Sequence, residues 1–107
     1  MAADSGDTPI LDLLARMTED SLEVTSLDDQ SVMLVRIAAL VAIDAPPASY
    51  LLNMGAAGES GVDADQIQGL LAAVAPIVGT SRVVSAAGKM VRALGLKLEL
   101  GELAGEE

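Results

Sequence analysis

Apolar residues recur along this chain mostly at helical spacing, with alternation confined to one short stretch near the C-terminus. Thr8 supplies a capping hydroxyl and Pro9 a ring suited to the first helical position. Ile10, Leu13, Leu14 and Met17 then share one face of a short amphipathic helix reaching about Thr18, which has the character of a docking arm. The stretch SLDD at 26–29 has capping-box spacing, with Asp29 in place of the usual Glu, and predicts a helix to about Ile43. Its later turns, VMLVRIAALVAI at 32–43, are apolar on nearly every side. Such a helix must be covered on most of its surface, which one small domain can rarely do, so a subunit interface is expected there.

DAPP at 44–47 turns the chain into a helix over 47–60, closed by Gly61 in a left-handed conformation. DADQ at 63–66 is again like a capping box and opens a helix to about Val78, followed by Gly79 and a new cap at Thr80. From 81 to 94, Val83, Val84, Ala87, Met90, Val91 and Leu94 are predicted to face inward, with Arg82, Ser85, Lys89 and Arg92 opposite. LKLEL at 96–100 alternates, and fits either a short strand or one more helical turn. Residues 1–7 are expected to be a disordered leader and 101–107 a flexible acidic tail, leaving a single helical domain over 8–100.

Composition narrows the picture. A hydrophobic fraction of 51% with only 1% aromatics calls for a core of Leu, Val, Ile, Ala and Met, which favours closely packed helices over cross-strand aromatic pairs. The expected fold class is therefore all-α, a small helical bundle. A net charge of -10 opposes binding to a phosphate backbone, so no nucleic-acid partner is expected. The longest apolar run is too short to span a bilayer and contains Arg36, and the acidic start lacks the basic region of a signal peptide. No membrane partner is expected, and the protein is read as soluble and cytoplasmic.

The order of these elements, with GVDADQI and VGTSRVVSA at two characteristic places, resembles the carboxymuconolactone decarboxylase family, which includes the alkylhydroperoxidase D-like proteins. The likeness covers residues 26–94. It implies an all-helical homo-oligomer, a trimer or hexamer built around a helical hairpin. In the redox-active branch that hairpin carries a CxxC and a His four residues after the second Cys, and the matching positions here are Pro46, Ser49 and Asn53. With no Cys and no His in the chain, thiol peroxidase and disulfide reductase chemistry of that type is excluded.

Four polar residues remain as a candidate pocket: Arg36, Ser49, Tyr50 and Asn53. Arg36, set among apolar neighbours, needs a partner or water, and an ion pair with an acid such as Asp29 or Asp44, within or between subunits, is favoured over binding a small anionic ligand. Tyr50 and Asn53 lie one turn apart and could line a pocket with Met54; otherwise the Tyr50 hydroxyl reaches the surface and Asn53 bonds nearby backbone. Ser49 has no adjacent base to activate it. Gly55 and Gly58 suggest a close helix contact, and the pairs Asp28–Asp29 and Asp63–Asp65 suit helix N-termini rather than acid–base work or a metal. Arg82, Lys89 and Arg92 form a solvated stripe or one that meets acidic surfaces of another copy. No cofactor and no metal are expected. The sequence favours a non-catalytic, redox-inactive oligomer with a binding or structural role, ahead of a cofactor-free decarboxylase or lyase acting on a small carboxylate or lactone. A third reading is an accessory subunit assembling with a catalytic relative.

Overall fold

A computed structural model describes residues 8–105, with side-chain surroundings over 8–94. The expected leader, residues 1–7, lies outside the described residues. Five helices follow in order, α1 (Pro9–Val24), α2 (Asp29–Ile43), α3 (Pro47–Glu59), α4 (Ala64–Val78) and α5 (Thr80–Gly105), and no strand occurs among the described residues. None of these helices is long and apolar enough to cross a membrane.

Helix α2 is the axis of the fold, packing against α3, α4 and α5, while α5 also packs on α3 and α4. Val32, Met33, Ile37 and Val41 of α2 are buried, and the core is completed by Tyr50 and Ala57 of α3, Leu70 of α4, and Ala86, Met90 and Ala93 of α5. The near-continuous apolar character of 32–43 thus has a structural cause, since one helix serves three neighbours. A remainder is left over: Val35 and Ile43 stay 56% and 69% exposed.

The caps explain most boundaries. Asp28, not Ser26, caps α2, its carboxylate accepting from the Ser31 N–H at 2.7 Å. Asp caps as well as Ser, and here its placement two residues later sets the register. At Asp63 the capping box is complete, with the Gln66 N–H donating to the Asp63 carboxylate at 2.9 Å and the Asp63 N–H to the Gln66 side chain at 3.0 Å. Helix α3 ends in a Schellman turn in which the Val62 N–H donates to the Ala57 carbonyl and the Gly61 N–H to that of Gly58. Gly61 has φ +92 there, as expected for the left-handed position.

Other expectations are corrected. Helix α1 continues past Thr18 to Val24, because SLEV adds another turn without a breaker. Thr80 is the first residue of α5, and the Gly79 carbonyl accepts its first helical bond, from the Val83 N–H. LKLEL continues α5, the strand alternative is not adopted, and the helix backbone runs past residue 101 to Gly105. The inward face of α5 is also rotated from the one expected. Small Ala86 and Ala93 with Met90 are buried against α3 and α4, while Val84, Val91 and Leu94 are 65%, 70% and 51% exposed. Close approach of helices favours alanine at the contact and displaces the bulkier valines outward. Gly55 and Gly58 do not mediate a close contact, since an added Cβ would meet nothing within 4 Å at either.

Candidate functional site

The positions singled out by the sequence surround the α2–α3 turn and the start of α3, and the structure divides them. Arg36 and Asn53 come together, with Leu14, Met17, Thr18 and Ser21 of α1, around an open groove of about 290 Å³. Helical geometry brings these α1 residues onto one edge, because 14, 17, 18 and 21 repeat at intervals of three and four. Had the sequence pattern been followed beyond Thr18, that same spacing would have marked Ser21 as part of the set.

Arg36 is half-buried and its Nη2 donates to the Ser21 Oγ at 3.0 Å. Among the described residues it makes no salt bridge, so a pairing with Asp29 or Asp44 is not formed within the chain. Asp44 is engaged elsewhere. Its carboxylate accepts from Lys89 Nζ at 2.9 Å and from the Ser85 hydroxyl at 2.7 Å, and its carbonyl accepts from Lys89 Nζ at 3.1 Å. Lys89 is therefore not simply solvated. Hydrogen bonds from Lys89 and Ser85, aided by the charges of Lys89 and Arg82, hold the Asp44 carboxyl below its ordinary range. Asp44 is the non-glycine residue with positive φ, +56, and its three bonds tie this left-handed turn to α5.

Ser49 is half-buried on the first turn of α3, and its carbonyl accepts from the Asn53 amide at 2.9 Å. The amide at the groove is thereby oriented by its own helix. Tyr50 does not join the groove. Its side chain is fully buried in the core, and its hydroxyl, expected at the surface, is enclosed without a hydrogen-bond partner among the described residues. Burial, and to a smaller extent the Asp44 charge, raises its pKa. An enclosed phenol of raised pKa is poorly placed to exchange protons with a ligand.

The groove thus presents a permanent cation, an amide, two hydroxyls and two apolar walls. It can hold an anion or a polar group. Among the described residues, no three of His, Cys, Asp and Glu converge as a metal site. Two further concavities are almost wholly apolar. One of about 420 Å³ lies between α2 and α4, lined chiefly by Leu34, Val35, Ala38, Leu70, Ala73 and Val74. The other, of about 260 Å³, lies between α4 and α5 and includes Ile67, Leu71, Ala87, Met90, Val91 and Leu94. No family model, curated protein or solved structure matches the chain.

Proposed function

We propose that this protein is a redox-inactive relative of the carboxymuconolactone decarboxylase and alkylhydroperoxidase D-like proteins, acting in the cytoplasm as a non-catalytic homo-oligomer with a binding or structural role. Its helix order, Pro-marked turn and two glycine-closed helices agree with that resemblance. The observation that carries the non-catalytic part is the use of the three matching positions. Pro46 is the residue before the first turn of α3, and the Ser49 main-chain carbonyl accepts one N–H of the Asn53 amide, which orients that amide. Pro46 has no reactive group, the Ser49 hydroxyl has no neighbouring base in sequence to activate it, and the Asn53 amide does not titrate.

The oligomeric part is supported by exposed apolar surface on three sides of the bundle, at α1, along the α2–α4 groove and along α5. Contiguous apolar surface rimmed by polar residues is characteristic of interaction sites. Native mass spectrometry of the purified chain tests both parts in one spectrum. A trimer or hexamer without added mass is the expected result, and a monomer would refute the association.

The alternative, a cofactor-free lyase acting on a small carboxylate or lactone, draws on Arg36, whose guanidinium borders a groove without a carboxylate partner among the described residues. A retained small acid, lost on Arg36→Met with the assembly intact, would favour it.

A further inference from the structure

Helix α1 is the part of this molecule whose stability its own chain does not explain. It contains no buried residue and does not pack closely on any other described helix. An isolated helix of 16 residues is marginal in water, and this one leaves Ile10, Leu13 and Met17 exposed at 66%, 45% and 56%. Its edge formed by Leu14, Met17 and Ser21 overhangs the Arg36 groove, and Leu13 and Val24 lie on the flank of that edge, next to Met17. Around the helix, the next positions beyond that flank are Asp20, Arg16 and Glu23. The whole of α1 carries Asp12, Glu19, Asp20 and Glu23 against a single Arg16.

The first four turns of α5 have the opposite character. Residues 80–94 contain Arg82, Lys89 and Arg92 and no acid, a basic segment in a chain of net charge -10. Lys89 is committed to Asp44, while Arg82 and Arg92 are exposed. Val84 and Val91, two turns apart, form an exposed apolar stripe that Arg92 flanks on one side and the α4–α5 groove on the other. An acidic amphipathic helix and an exposed apolar stripe beside a free cation are thus present in one chain, and α1 and α5 do not meet among the described residues.

We infer that this flank of α1 from one copy seats along the α5 face of a second copy, with Leu13 against Val91 and the α1 acids beside Arg92. This rests on the proposed self-association and names the surfaces that make it. Apolar contact supplies the attraction, and the opposite charges fix partner and direction.

The absence of cysteine makes the contact directly testable. Leu13→Cys and Val91→Cys are prepared as separate full-length variants and oxidised mildly, each alone and mixed, with mass spectrometry of the linked peptides. Each chain then has one thiol, so every disulfide joins two copies, and bonding requires Cα atoms within about 7 Å. A 13–91 link is expected in the mixture, several-fold above that from Glu59→Cys mixed with Val91→Cys, and reduced by Arg92→Glu. An assembly that persists in native mass spectrometry without the 13–91 link would overturn this contact and leave self-association standing. A monomer at all accessible concentrations would overturn both.

Discussion

Tyr50 poses the sharpest question at the level of single residues. It is the chain's single aromatic residue, it is completely buried, and its hydroxyl is enclosed without a partner among the described residues. A buried unsatisfied hydroxyl costs about 1–3 kcal/mol, whereas the ring is among the largest contributions to this aliphatic core. Tyr50→Phe should therefore raise stability by about 1 kcal/mol in urea unfolding, since it keeps the ring and removes the orphan group. A clear loss of stability would mean that the hydroxyl has a partner in solution. Asp44 makes the converse case. Its carboxyl is held below its ordinary range by Lys89 and Ser85. The unfolded chain binds a proton more readily at that site, so the contribution is full above the ordinary carboxylate pKa of about 4 and is lost as pH falls through the lower folded value. Asp44→Asn, which tolerates the left-handed turn, should lower the melting temperature at pH 7 and converge with the parent near pH 2. A gap that stayed constant with pH would exclude the charged latch.

At the level of helices, two kinds of glycine are separable. Gly61, at φ +92, has the Gln30 side chain 2.6 Å from where a Cβ would lie. Gly61→Ala should cost about 1–2 kcal/mol in strain. Gly55→Ala, placed inside α3 with nothing within 4 Å, should stabilise by about 0.5–1 kcal/mol through helix propensity. Thermal unfolding of the two variants checks the opposite signs, and equal losses would contradict the helix-end assignment. Gly61 was legible in the sequence because it follows a helical run and precedes the cap at Asp63. The role of Gly55 was not, because a small residue on a helix reads alike whether it faces a neighbour or open space. The same ambiguity hid the rotation of α5: its apolar arc is wide enough to place either Val84 and Val91 or Ala86 and Ala93 inward, and the approach of α3 decides. The groove was half legible. Arg36 and Asn53 stood out as polar residues in apolar helices, while Ser21 required knowing how far α1 continues and where it lies.

For the whole molecule, burial is distributed so unevenly that stability should be uneven too. Ile37 and Val41 of α2 are fully enclosed among α3, α4 and α5, whereas α1 buries nothing in its own chain. Opening free energies follow buried contacts, so amide exchange should be slowest around 37–41 and near the rate of an isolated helix in α1. Self-association through α1 adds a dependence that an intrachain account lacks. Docking onto a second copy stabilises the docked state by mass action, so protection of α1 should increase with protein concentration while that of 37–41 changes little. Hydrogen exchange measured at two concentrations across the association midpoint distinguishes these cases. Concentration-independent, low protection in α1 would show that its apolar edge remains open in the assembly, whereas concentration-independent, high protection would place its cover within the same chain.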